Sequence, residues 1–338
     1  MAYYIKKKLW QIDGLRPTPE KIYYRRRTVL KKLGIISGGL LGGSTLLSGC
    51  TQKPNREKSN PEQPGVISNH FNFDGMADLY PARRNEKYAL DRPLTDEYHA
   101  THKNNFYEFI SRQDPDIYNV YKFVSDFENR DWKIEVSGLA DNTGTFYLED
   151  LIKKMGLEER TYRFRCVERW SMAVPWTGFP LAKLIKYFAP KNEARFVAMV
   201  SYSNAEQMEG VRNLTHYPWP YSEGLTMEEA TNELAFMATG LYGKPIPKQN
   251  GAPIRLVVPW KYGYKNIKSI VKITFTDQQP KTFWNQVAPT EYPFTSNVDP
   301  SVPHPRWSQA FEQMIPDGEK RPTLKYNGYE KLVAHLYT

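Results

Sequence analysis

The sequence predicts an α+β protein, a single mixed α/β domain with long irregular arms. Three observations point there. Stretches with a period of two, as strands have, alternate with short amphipathic helical stretches. No segment repeats. The bulk composition, 40% hydrophobic and 25% charged, is that of a chain able to bury a core.

The elements follow in order. Residues 1–49 read as a leader: "RRRTVLKK" (25–32) precedes the weakly apolar, glycine-rich "LGIISGGLLGGSTLLSG" (33–49). A basic start, a short apolar core and small residues at the end make an export signal, and the core is too short and glycine-rich to span a membrane comfortably. Arg26-Arg27-Thr28-Val29-Leu30-Lys31 is similar to the twin-arginine motif, the alternative being an ordinary secretory signal with an incidental third arginine. "LLSGC" (46–50) resembles a lipoprotein signal ending before Cys50, so the mature chain is either lipid-anchored at Cys50 or soluble. The polar, proline-rich residues 50–69 have nothing to bury and are expected to form a disordered tether. The catalytic domain is expected over 70–338.

Within that domain, 66–100 reads as extended, arm-like chain and "NNFYEFI" (104–110) as a turn entering aromatic chain. "WKIEVSGL" (132–139), "YRFRCVE" (162–168), "ARFVAMVS" (194–201), "PIRLVVPW" (253–260) and "IKSIVKITFT" (267–276) read as strands. "LEDLIKKM" (148–155), closed by Gly156, and "PLAKLIKYF" (180–188), with proline at its first turn, read as helices. "SEGLTMEEA" (222–230) reads as a cap turning helical, and the chain after 277 as mostly irregular.

Charge excludes one class of partner. Residues 1–49 hold ten basic and two acidic residues, so eight of the nine net positive charges belong to the leader. The remaining chain is almost neutral, and charge offers no argument for nucleic acid. No G-x-G-x-x-G opens a helix, and no Walker loop, Cys-x-x-Cys or G-x-S-x-G occurs. His99 and His102 have a spacing that suits shared metal ligation, but they read better as arm histidines.

Two features remain. Cys166 is the one cysteine besides Cys50, and a lone cysteine in an exported protein is a buried inert thiol, an intermolecular bridge or a functional thiolate. Arg165 and Arg169 beside it would favour the thiolate. "QNGAPIRLVVPWKYGYKNIKS" (249–269) supplies Asn250, Arg255, Lys261, Lys265 and Lys268 around glycine-bearing loops, either an anion site or a solvated basic face.

"RCVERWSMAVPWTGFPL" (165–181), "NNFYEF" (104–109) and "NGAPIRLVVPWKYGYKNIKSI" (250–270), in that family's order, resemble the catalytic subunits of periplasmic protein-methionine-sulfoxide reductases (the MsrP type), within the sulfite-oxidase-like molybdopterin enzymes. The resemblance runs from about residue 70 to the C-terminus and implies the sulfite-oxidase molybdopterin-binding fold. It implies a molybdenum–molybdopterin cofactor in its mononucleotide-free form, with Cys166 as the catalytic thiolate and metal ligand. It places Asn104, Tyr107 and Glu108 against the pterin, Asn250 and Arg255 at pterin or phosphate, and Asn266, Ile267 and Lys268 around the phosphate. The backbone amides of Asn266 and Ile267 and the charge of Lys268 are expected to serve there. Ser201 stands where the family often has threonine.

The implied reaction moves an oxygen atom from a methionine sulfoxide of an exported protein, leaving thioether and, after two electrons and two protons, water. The implied partners are a membrane haem-containing electron-donor subunit fed by quinone, oxidised exported proteins and the twin-arginine machinery, which would deliver the folded protein to the periplasm. Trp170, Trp176, Trp219 and Trp260 are candidates for an apolar rim, or for core. A sulfite oxidase-like enzyme is one rival, weakened because Asp277–Thr338 is too short for the extra β-sandwich of about 100 residues. A cofactor-free anchored binding protein is the other.

Overall fold

The fold is seen in a computed structural model that describes residues 76–338 apart from 112, 113, 115 and 129. The leader, the 50–69 tether with Cys50, and residues 66–75 of the expected 66–100 arm fall outside the described residues.

Two sheets carry the architecture, as the mixed pattern predicts. The first is built on β1 (Lys133–Gly138), whose alternation buries Ile134 and Val136. Beside it run β2 (Gly144–Tyr147), antiparallel, and β10 (Ile270–Thr276), parallel, with Val136 opposite Ile273. Then β5 (Phe196–Ser201) and β6 (Ser222–Thr226) continue antiparallel, giving the order β2-β1-β10-β5-β6. Leu148–Met155 and Leu181–Phe188 are the two amphipathic helices, burying Leu148, Leu151, Ile152 and Leu181, Leu184, Ile185, Phe188 on single faces. Gly156 closes the first at φ +69°, outside the usual range of side-chain-bearing residues.

The second sheet has β4 (Trp170–Pro180) as its spine. It pairs with β3 (Glu158–Arg165) on one side and β7 (Phe236–Leu241) on the other, and near its start it runs parallel to β11 (Phe311–Met314). Short β8 (Lys244–Pro245) and β9 (Arg255–Val257) add to β7, and β12 (Lys320–Pro322) adds to β11.

Several expectations are corrected. β4 and β7 are absent from the sequence reading because both are buried on both faces and show no alternation. Residues 222–230 split into β6 and a helix, Met227–Thr231. The cap is Thr226, in a reciprocal capping box with Glu229, not Ser222. Glu97–His102 forms a helix within the expected arm, begun by the Asp96 side chain on the Tyr98 N–H. The tail beyond 277 contributes β11 and β12, because paired edges satisfy its backbone where periodicity is absent.

Buried charges tie the C-terminal loops down. Lys261 Nζ contacts Glu229 Oε1 at 2.5 Å and also donates to Thr295 O and Asn297 Oδ1. Lys265 Nζ contacts Glu223 Oε2 at 2.5 Å, and all four of these side chains are buried. Removing one partner of such a pair strands the other, at about 3–5 kcal/mol.

Gly178 fixes the β4–β7 contact, since a Cβ there would lie 2.0 Å from Met237 O. Gly178→Ala is expected to destabilise by several kcal/mol, because main chain must move. Gly318→Ala, which meets nothing within 4 Å, is expected to cost roughly 1–2 kcal/mol from its φ of +76°. Urea unfolding of both variants checks this; equal costs would contradict the close strand approach.

Candidate functional site

Cys166 sits in the four-residue loop that joins β3 to β4, one residue beyond the strand in which the alternation placed it. Its N–H donates to Trp170 O at 2.9 Å and its carbonyl accepts from the Arg169 N–H at 3.0 Å. Arg169 adopts φ +77°, unusual for a side-chain-bearing residue, so the loop is held by its surroundings. Arg165 does much of the holding. Fully buried, it donates to Cys166 O, to Gln309 Oε1 at 2.8 Å and to Thr323 Oγ1 at 3.2 Å. Val167 O accepts from both Trp307 Nε1 and Gln309 Nε2 at 2.8 Å.

The thiol faces a cleft of about 810 Å³. Six of the residues singled out in the sequence line it: Asn104, Tyr107, Cys166, Asn250, Arg255 and Lys268. Asn250 Nδ2 donates to Asn104 Oδ1 at 3.0 Å and to Ala100 O at 3.1 Å. Arg255 Nη1 and Nη2 donate to Asn250 O and Asn266 O at 2.8 and 3.2 Å, and the guanidinium lies 4.9 Å from the Trp176 ring centroid. Lys268 Nζ donates to Asn105 O at 3.0 Å.

The other four expected residues lie behind the lining. Ser201 Oγ donates to Glu108 Oε1 at 3.3 Å, both side chains being buried. Asn266 braces its own loop: Oδ1 accepts from the Val258 N–H at 2.7 Å, and its backbone N–H is already given to Gly263 O. Ile267 is core, its carbonyl accepting from Leu256.

Electrostatics divide the basic stretch in two. Lys261 and Lys265 are neutralised by buried glutamates and do not face the cleft. Arg255 and Lys268 do. Burial alone lowers Arg255 to about 9. Lys268 keeps part of its surface open, yet desolvation and then Arg255 drive it to about 7, against the opposing pull of Glu108 and Cys166. Burial pushes the Cys166 thiol up, and the charge of Glu168 adds to this; the Glu168 N–H, Arg165 and Lys103 oppose it less strongly. The arginines therefore do not make this a ready thiolate, contrary to the sequence expectation; a bound metal would have to displace the proton.

Several cleft residues carried too little signal to be chosen from sequence. Glu168 Oε2 accepts from Asn105 Nδ2 at 3.0 Å and Trp170 Nε1 at 3.2 Å, and stands 3.9 Å from Cys166 Sγ. Trp284 and Tyr292 wall the opening, with Tyr107 edge-on to Trp284 at 5.0 Å. They come from the segment read as irregular. Of the four tryptophans proposed as a rim, Trp170 and Trp176 line the cleft. Trp260 is core, bonded to Tyr337 Oη, and Trp219 packs on Phe283. His99 and His102 pack around Tyr98, and among the described residues no three of His, Cys, Asp and Glu converge on a metal site.

The donor set fits a molybdenum–pterin group. Cys166 offers one soft ligand, which suffices where the pterin brings two sulfurs. Two buried polar atoms of lining residues, Asn250 Oδ1 and Trp176 Nε1, have no hydrogen-bond partner among the described residues. They supply an acceptor and a donor for a polar ring edge, and the two cations suit its phosphate.

Comparison with known proteins agrees. The model of the oxidoreductase molybdopterin-binding domain matches residues 121–284, which takes in Cys166, Ser201 and Asn250 to Lys268 and leaves Asn104, Tyr107 and Glu108 outside. The catalytic subunit MsrP of a protein-methionine-sulfoxide reductase from Burkholderia mallei (strain ATCC 23344) is 42% identical over 326 residues, covering 95% of this chain and 91% of that one. Among solved structures, the sulfane dehydrogenase SoxCD from Paracoccus pantotrophus aligns with TM-score 0.40 and 16% identity over 81% of this chain. This chain spans 66% of the length of that one, just under two thirds.

An anion should bind the cofactor-free cleft. Sulfate is expected to raise the melting temperature, and Lys268→Met to remove most of the rise. Anion binding favours protonated Lys268, so below its free-cleft pKa of about 7 no proton need be taken up. Above it affinity falls by up to tenfold per pH unit. The sulfate shift should therefore be larger at pH 6 than at pH 8.5; the reverse order would exclude Lys268 as the anion's partner.

Proposed function

The chain belongs to the family of protein-methionine-sulfoxide reductase catalytic subunits of the MsrP type, molybdopterin-binding oxidoreductases that act on sulfur groups, and we propose that it reduces methionine sulfoxide residues of exported proteins. The observation that carries this reading is the buried lone thiol set across one cleft from two cations without carboxylate partners on its lining. Cys166 Sγ would hold molybdenum, and Arg255 and Lys268 the phosphate of a mononucleotide-free pterin. Asn104, Asn250 and Trp176 would meet the ring edges. When bound, the molybdenum–molybdopterin group supplies the oxygen-atom and two-electron chemistry that turns sulfoxide into thioether and, with two protons, water.

The protein's own residues supply position, shape and protons. Glu108 and Ser201 brace the floor from behind and balance part of the Lys268 charge. Asn266 fixes the turn that aims Lys268. Tyr107, Trp284 and Tyr292 form an apolar wall that admits a methionine side chain and limits water. Glu168, oriented by Asn105 and Trp170, is the exposed carboxylate nearest the thiol, and its Oε2 is placed to take protons from solvent and pass them inward.

The leader assignment completes the reading. Twin-arginine export over 1–49 suits a chain that crosses the membrane folded around its cofactor, and residues 50–69 would then tether the catalytic domain of 70–338 to a lipid at Cys50. Electrons would come from a membrane haem-containing subunit, close to a periplasmic enzyme so anchored. Repair of methionine sulfoxide is the reversible rung of sulfur oxidation, which suits an oxidising compartment.

The test is metal analysis and turnover on protein exported from a host that makes molybdopterin. About one molybdenum per chain is expected, with Cys166→Ala losing both metal and activity. Lys268→Ala should weaken cofactor retention by roughly ten- to a hundredfold, the loss of one charge-assisted contact. Faster turnover of sulfite than of methionine sulfoxide would replace the reductase reading with a sulfite oxidase-like one.

A further inference from the structure

A second cavity, of about 720 Å³, shares a wall with the cleft: Val167 and Tyr264 line both. It is enclosed by the 291–304 segment and by Tyr262, Gln309 and Tyr326. The Tyr264 hydroxyl is tied to Ser296 Oγ, which fixes the partition.

Two polar groups on this lining are more than nine-tenths buried and lack a hydrogen bond of good geometry. Among the described residues these are His304 Nε2, its residue 6% exposed, and Tyr262 Oη, its residue 7% exposed, whose oxygen the Asp299 N–H approaches, leaving the hydroxyl hydrogen to be donated. The proton on His304 can be placed. Its Nδ1 accepts from the Arg306 N–H at 3.2 Å, so in the neutral ring Nε2 carries the hydrogen. Burial holds the ring neutral by lowering its pKa, against the pull of Glu291. Glu291 Oε2 lies 3.3 Å from Nε2 without forming a hydrogen bond, and is itself held by Arg306 Nη2 at 2.7 Å. The imidazole is fixed by stacking on Trp307 at 3.9 Å. Two preset hydroxyl and imidazole donors thus share one cavity.

The lining also says what they do not take. Glu291 and Asp299 disfavour an anion. A cation is not called for, because Glu291 is matched by Arg306 and Asp299 Oδ1 accepts from the Ser301 N–H and hydroxyl at 2.8 and 2.6 Å. A neutral oxygen acceptor satisfies both donors at no charge cost. Pro293, Pro303 and Val302, the last 62% exposed, give the entrance an apolar edge open to a large partner.

We propose that this cavity is a second subsite, which receives an amide carbonyl from the polypeptide next to the reacting methionine sulfoxide. The proposal rests on the reductase reading and names what distinguishes a protein substrate from the free amino acid. Consecutive residues of an extended chain advance about 3.3–3.6 Å each, so a residue one to three positions away reaches across a shared wall. The carbonyl comes from the main chain or from a glutamine or asparagine side chain.

The experiment compares free methionine sulfoxide with two blocked pentapeptides carrying it centrally, one flanked by glycines and one by glutamines, on molybdenum-loaded enzyme. In Tyr262→Phe and His304→Phe, the kcat/KM for peptide divided by that for the free amino acid is expected to fall about tenfold, through KM, for one lost hydrogen bond. A fall for both peptides assigns the main-chain carbonyl, and a fall for the glutamine peptide alone assigns the side chain. Unchanged ratios in both variants overturn the subsite. Calorimetric binding of the glycine- and glutamine-flanked methionine peptides reads it without turnover: weaker binding of either peptide to Tyr262→Phe supports the subsite, and equal binding of both overturns it. Failure of the wild-type enzyme to turn over either sulfoxide peptide as well as free methionine sulfoxide would sink the reductase reading alone, and the calorimetric comparison would still decide the subsite.

Discussion

The structure depends on one buried guanidinium. Arg165 ends β3 with its side chain fully enclosed, bonded to the carbonyl of the next residue, Cys166, and to Gln309, Phe311 O and Thr323, with Glu312 Oε2 at 3.5 Å from Nε. A buried charge of this kind is a poor source of net stability, since desolvation offsets most of the attraction. What it supplies is position. The loop that presents the thiol is four residues long, contains a positive φ at Arg169, and has no regular ladder of its own. Fixing it requires donors from outside the hairpin, and those donors are brought by the segment 307–323. The C-terminal strands β11 and β12 therefore act as a brace for the site, although none of their residues lines the cleft.

The same division between bracing and working groups governs the other charges. Lys261 and Lys265 lie within seven residues of Lys268 and are chemically identical to it, yet each is matched by a buried glutamate. Lys268 and Arg255 are left facing the cleft with mostly carbonyl oxygens around them. Burial lowers the pKa of both, as it does that of Lys261 despite Glu229, so what sets Arg255 and Lys268 apart is the lack of a carboxylate ion pair and not the shift itself. If the two cations hold a phosphate as proposed, the fold gives up stability to keep that space, the trade seen where binding sites are built in advance. Asn250 Oδ1 and Trp176 Nε1 extend it to uncharged polar groups.

How much of this was legible in the sequence follows from what kind of force sets each feature. β1, β5, β10 and the two amphipathic helices were readable because one face meets the core and the other meets water. β4 and β7, the spine of the second sheet, were not, because strands enclosed on both faces have no contrast to detect. The tail was unreadable for a related reason: β11 is ordered by pairing with β4 and by contacts with Arg165, at sequence distances over 140 residues, and β12 is then held on β11. At the site, the family resemblance picked out residues that face the cleft, among them Cys166, Asn250 and Arg255. It did not separate them from those that stand behind, such as Asn266, whose backbone N–H is already used. Nor could it find Trp284, Tyr292 or His304, whose place is set by how the tail folds back.

Burial gives the lone cysteine its character. At 5% exposure Cys166 is shielded from a thiol on another protein's surface. Desolvation and Glu168 keep it protonated, and a protonated thiol is slow to oxidise. In the proposed reading it would become a thiolate only when a cation replaces the proton, so that metal entry and proton release would be one event. The negative group proposed to accompany the metal would in turn supply the partner that Arg255 and Lys268 lack on the lining. Each half of the site is poorly solvated alone and relieved by the other half of a single ligand. A metal without the anion, or an anion without the metal, would leave one penalty in place, and on the proposed reading it is this pairing, more than any single contact, that would select a cofactor carrying both.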